Sequence, residues 1–236
     1  MSKVRLKNYV LQRVQVVAAR IFVASVLLAL VCTGAALADD PTVRINAADQ
    51  AKAESSLARL TDFGTGWTGG PTTPSKLTAP NCPGFNPKES DLVVTGHAEA
   101  RFTLSRAGVV FAQDSQVLES AEAVKTDFAR TVTPKLPGCL AYQLKVGAKG
   151  NVLSVSIRKL PLPRIGTVSA AYRATVLLKI QNRTVKYVSD DIFFGQGRFE
   201  FALFVQAPAG LGSQVASFET AMAKILVKRA PTGNVA

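Results

Sequence analysis

The side chains that could do chemistry are few and far apart. His97 is the only histidine of the chain. A nucleophile–base–acid set needs such a base beside a serine or cysteine. His97 falls on the polar side of an alternating stretch, so we expect it to face solvent rather than to act as a base. No G-x-S-x-G elbow is present. Gly64-Thr65-Gly66-Trp67-Thr68-Gly69 spells G-x-G-x-x-G. A dinucleotide cradle needs a strand before that run and a helix after it. No strand pattern precedes it and Pro71 stands where the helix would begin, so the match is read as chance. Asp190 and Asp191 are the acids of most interest. Neighbours on a strand face opposite ways, so both could serve one ion only across a bulge. With Glu200 across the next hairpin they leave a calcium alternative open. The expectation is instead cross-strand pairing with Arg198 or Lys186. No catalytic, cofactor-binding or metal-ligating residue is assigned, and no cofactor is implied. The ligand-contact candidates are Trp67, Asp190, Asp191 and Glu200.

Export sets the context for the cysteines. Residues 1–20 carry five basic and no acidic side chains, and residues 21–37 are apolar or small. Ala36-Leu37-Ala38 then offers an A-x-A cleavage site before Asp39-Asp40. This is the three-part pattern of a secretory leader. The alternative is an uncleaved anchor, although the apolar run is just short of the ~20 residues that span a bilayer comfortably. Cys32 lies within the leader and lacks the small residue that a lipobox needs directly before it. Cys82 and Cys139 remain, and outside the reducing cytoplasm a pair suggests a disulfide. Two free thiols are the alternative.

Composition excludes a disordered chain: 47% of the 236 residues are hydrophobic. The net charge is +12. Beyond the leader it falls to 23 basic against 16 acidic residues, a net +7. That excess suits anionic partners. Its spread along the chain without a run favours a solubilising surface. Nucleic-acid binding needs basic clusters interleaved with aromatics. The phenylalanines of 193–204 alternate into a core instead, so no nucleic acid is expected. Asn182-Arg183-Thr184 is a glycosylation sequon, or simply a polar turn.

The elements that must position these groups follow from periodicity. A helix is predicted from Asp49, as N-cap, to Leu60. Residues 61–90, rich in Gly, Pro and Thr, are predicted to be an ordered loop that Trp67 plugs onto the core. Residues 92–104 alternate, with Leu92, Val94, Ala98, Ala100 and Phe102 on one side. Arg106-Ala107-Gly108 turns the chain into a second strand, 109–118. Ser120 caps a helix to about Val132, ended by Pro134 and Pro137-Gly138. Residues 139–146 fit either helix or strand. Strands are predicted at 152–159, 167–180, 184–194 and 198–206. Ser213 should cap a last helix to about Lys228, with Val215, Phe218, Met222, Ile225 and Leu226 as its apolar stripe. The expectation is a signal peptide, 1–38, and a single α+β domain, 39–236. In it an antiparallel sheet carries helices on one face.

Several stretches resemble a known family. They are FGTGW before a Pro-rich loop and Cys82; DLVVTGHAEARF leading into VVFAQDSQVLESAEAVKTDFARTV; Cys139 after that helix; and YRATVLLKI with VKYVSDDIFFGQGRFEFALFV and a closing AMAKILVKR. This order is similar to the extracytoplasmic sensor domains of actinobacterial serine/threonine kinases and related secreted lipoproteins, whose fold is PsbP-like. The resemblance spans most of residues 55–230. That family typically carries more than two cysteines, and no kinase domain is present here. The resemblance implies a binding or sensing module with a cleft rather than an enzyme, and it carries over no binding residue. The function expected is a secreted, non-enzymatic binding or sensor-like domain for an envelope or small-molecule ligand. The alternatives are a structural envelope protein held by charge, and a hydrolase built on Asp190, Asp191 or Glu200. Membrane contact is expected only through an uncleaved leader.

Overall fold

The computed structural model describes residues 39–148, 151–180 and 183–230. The expected leader and residue Asn182 of the sequon lie outside them. Alternation, interrupted by a bulge between Val94 and Gly96, makes strand β3, Val93–Leu104, and the hairpin partner β4, Val109–Leu118. Gly108, with φ +65°, closes the turn between them. The same period of two makes β5 (Val152–Lys159), β6 (Val168–Ile180), β7 (Arg183–Gln196) and β8 (Phe199–Pro208). β5 to β8 form an antiparallel meander, and β8 pairs with β4 to join it to the hairpin. The outer edge of β3 is covered twice. The short β1, Thr42–Val43, runs parallel to its start, and β2, Thr68–Thr72, runs antiparallel to its end. The result is one mostly antiparallel eight-stranded sheet.

Four helices pack on it: α1 (Ala47–Ser55), α2 (Ala121–Thr131), α3 (Leu136–Gly147) and α4 (Gly212–Arg229). They cover both faces, which corrects the expectation of one. On the first face Val215, Met222 and Leu226 of α4 and Ala53 of α1 join Phe102, Phe111, Phe201 and Leu203 in the main core. On the second face Leu136, Cys139 and Leu140 pack with Ala170 and Tyr172. The sheet has apolar residues at both parities of β6, which a one-sided pattern would not need. Among the described residues no helix is long and apolar enough to cross a membrane.

Local departures from the sequence reading have local causes. α1 is shorter than expected, and its N-cap is Asn46, whose side chain accepts from the Asp49 N–H at 2.9 Å. Asp49 is thereby freed for other partners. Part of the 61–90 loop is strand β2, which finds donors and acceptors on the edge of β3. Gly69, with φ +134°, allows this approach: a Cβ there would lie 2.1 Å from the Arg101 carbonyl oxygen. Pro137 and Gly138 do not end α2 but open α3, where a proline in the first turn loses no helical hydrogen bond. α3 also settles residues 139–146 as helix. Ser213 does not cap α4, because a 3-10 turn at Ala209–Leu211 feeds straight into it and Ala209 accepts from the Gly212 N–H.

Candidate functional site

Register places polar side chains in rows on the second face. His97 lies opposite Gln116, which lies opposite Glu200, which lies opposite Gly195. One row further on, Glu99 lies opposite Asp114, then Ala202, then Phe193. His97 and Glu99 are two apart on β3, and Asp114 is diagonal to His97, so all three side chains converge. His97 Nε2 is 2.9 Å from Asp114 Oδ2 and 3.7 Å from a Glu99 oxygen. His97 is only 7% exposed, which corrects its expected place in solvent. Burial pulls its pKa down, but the Asp114 hydrogen bond and charge outweigh this and raise it. Glu99 is oriented from outside the sheet, since Ser75 donates both its N–H and its hydroxyl to one Glu99 oxygen.

A second group of acids meets across the helix layer. Gly195 has no Cβ, and one placed there would stand 2.5 Å from a Val124 methyl. α2 therefore sits close on the sheet, and Asp127, one turn beyond Val124, reaches Glu200. The two carboxyls lie within hydrogen-bonding range, so the pair can hold one proton between them. Burial is the largest cause of the rise in both pKa values; for Glu200 the charges of Asp127, Glu89 and Asp114 add to it. Glu89 is 8% exposed, and burial with the charge of Asp127 pushes it to about 8. Glu200 Oε2 is buried and meets no hydrogen-bond donor.

The segment between β2 and β3 straps this face. It touches Glu99 through Ser75 and contributes Glu89. Asp40 accepts from the Ala79 N–H at 3.0 Å. Cys82 is bonded to Cys139 of α3, with Cα atoms 5.3 Å apart, and this ties the strap to the helix layer.

The other sequence candidates go elsewhere. Trp67 stacks on Phe218, ring centroids 5.5 Å apart, and packs on Phe63, so it does plug its loop onto the core. Gly64 to Gly69 lead into β2, not into a helix. Asp190 and Asp191 do face opposite ways. Asp190, fully buried on the first face, takes the guanidinium of Arg173 through both oxygens. The expected partners are thus wrong: Arg173 is its neighbour in register on β6, whereas Arg198 reaches Asp49 at 2.6 Å. Burial raises Glu219 to about 10, and it shares a hydrogen bond with Asp190. Asp191 is on the second face, where burial and then Asp190 push it to about 8. It lies opposite Phe204, four residues along β8 from Glu200, so the calcium set of Asp190, Asp191 and Glu200 does not assemble. Sequence reasoning missed Glu89, Glu99, Asp114 and Asp127. For Glu99 and Asp114 the signal was present, since they pair directly across the hairpin that the sequence predicts.

The chemistry open to this face is that of oxygen ligands, one imidazole and a proton-sharing carboxyl pair. Comparison with known proteins adds nothing to it: no family model, no curated protein and no solved structure matches the chain.

Proposed function

We propose that the protein is an exported binding module that takes a positively charged ligand on the second face of its sheet, beneath the strap. The observation that carries this is the meeting of Glu89, Asp127 and Glu200 in one half-buried space, where burial raises the pKa of each. A ligand bringing positive charge would offset the repulsion and let them ionise. The leader pattern and the Cys82–Cys139 pair support export. The element order supports a sensor-like, PsbP-like reading of the domain.

The test is a thermal-shift screen of the purified protein at pH 7 against polyamines, cationic peptides, envelope lipids and glycans. A ligand that prefers the folded state raises its melting temperature in proportion to dose. We expect cationic ligands to do so, and Glu200→Gln to weaken the shift. No shift from any class, with the protein folded, moves the reading to a structural envelope role. One observation favours a second reading: a carboxyl pair sharing a proton is also the acid–base equipment of some hydrolases. Turnover of glycan or peptide substrates that disappears in Glu200→Gln would establish that instead.

A further inference from the structure

We propose that His97, Glu99 and Asp114 form a binding site for a divalent transition-metal ion, Zn2+ or Mn2+. The inference rests on reading this face as a ligand site and gives that site a resident cation. One ligand atom from each of the three residues can be chosen so that all lie within 4.8 Å of one another. They come from two adjacent paired strands whose register fixes their backbones, so little reorganisation is needed to close on an ion. An imidazole nitrogen with two carboxylates is the donor set of a borderline metal; calcium would demand oxygens alone. Three protein ligands leave a coordination position open to water or ligand.

Two features outside the triad point the same way. Ser75 fixes Glu99 by two hydrogen bonds to one oxygen, the kind of support that orients a ligating carboxylate. Glu200, diagonal to Asp114 across the next strand pair, has its Oε2 buried with no donor. A buried acceptor without a donor is the kind of group that a nearby cation, or a water held on it, would satisfy. Glu99 and Asp114 are 22% and 20% exposed, so an ion has a path in.

The experiment is isothermal titration of the metal-stripped protein with ZnCl2 and with MnCl2, beside Glu99→Gln and His97→Ala. The site requires saturable binding of one equivalent of at least one metal. Losing a ligand should weaken it by at least about a hundredfold, beyond the ~10–100-fold typical of an outer-shell change. Glu99→Gln keeps the fold's packing, so its result stands even if His97→Ala is poorly folded. Failure of both metals to bind below about 1 mM, or binding undiminished in Glu99→Gln, overturns the site. Spermine, run in the same thermal-shift format on metal-free protein, separates the two ideas. A spermine shift without metal binding overturns the metal site and leaves the cation-binding groove standing. Loss of both overturns both.

Discussion

Replacing Glu219 by glutamine should stabilise the protein, and more so as the pH rises. Glu219 is 2% exposed on α4, against the Arg173–Asp190 pair of the sheet. Burial first, then the charge of Asp190, raises its pKa from 4.5 to about 10. A carboxyl with a raised folded value holds a proton that the unfolded chain has released. Its contribution to stability is complete below pH 4.5 and is lost as the pH climbs towards 10. At pH 7 the gap from 4.5 is about 2.5 units, a cost of about 3 kcal/mol; at pH 8 it is about 5 kcal/mol. Glutamine carries no such cost, and its amide N–H replaces the O–H donated to Asp190. These figures are upper ends, because the fit of the amide takes back part of the gain. For a domain of this size about 3 kcal/mol corresponds to roughly 10 °C in Tm. The assay is thermal or urea unfolding of the wild type and Glu219→Gln at intervals from pH 4 to 9. The two should coincide near pH 4 and separate by about 1.4 kcal/mol per pH unit above pH 5. Parallel curves, or a variant no more stable at pH 7, would mean that Glu219 is ionised in the fold and that the reasoning is wrong.

The same linkage acts at Glu89 and Asp191, both at about 8, so wild-type stability to urea should fall between pH 5 and pH 8. A flat or rising profile there would contradict the buried, protonated state of this face. Reducing Cys82–Cys139, or replacing both by serine, should cost about 4 kcal/mol for a closed loop of this length. Comparison of urea midpoints with and without reductant checks it. Arg198→Ala should cost about 3–5 kcal/mol, since it strips the main cation from the buried Asp49 and loosens α1 from the sheet. Hydrogen exchange in α1 should rise with the loss. Gly96→Ala should cost about 1–3 kcal/mol or more, because its Cβ would meet the backbone carbonyl of Asp49 at 2.3 Å. Denaturant unfolding should show this loss, and equal stability of the variant would mean that α1 shifts freely.

Much of the sheet was legible because each strand states its own partner face. β3 and β4 alternate through their middle residues, and the glycine at 108 fixes their turn. α2 was legible from its serine cap and its apolar spacing. The failures occur where a tertiary partner decides. β2 is Thr-Gly-Gly-Pro-Thr, a sequence with no strand preference of its own; it is a strand only because the edge of β3 lacks partners there. The role of Asp49 in α1 depends on Arg198, 149 residues away, which holds the third residue of the helix rather than its cap. No window on the sequence contains both.

The candidate site was hidden for a related reason. Reading each strand as half-buried assigns its polar side to water, and on that rule His97 and Asp114 are solvated and uninteresting. The rule assumes that one sheet face is left open. Here apolar side chains on both faces of β6, and a glycine at 195, bring a second helix layer down on the polar face. Once α2 and the strap cover it, the same alternating polar residues become half-buried. Burial raises the pKa of Glu200, and Asp127 meets it through a spacing that exists only between helix and sheet. Single-residue chemistry could not reveal this, because nothing marks Glu99 or Asp114 as unusual in isolation. What the sequence did contain was the register of the β3–β4 hairpin. That register alone places His97, Glu99 and Asp114 on one face within two rows. Pairing a predicted hairpin residue by residue before judging any acid in it would have brought the triad together without a structure.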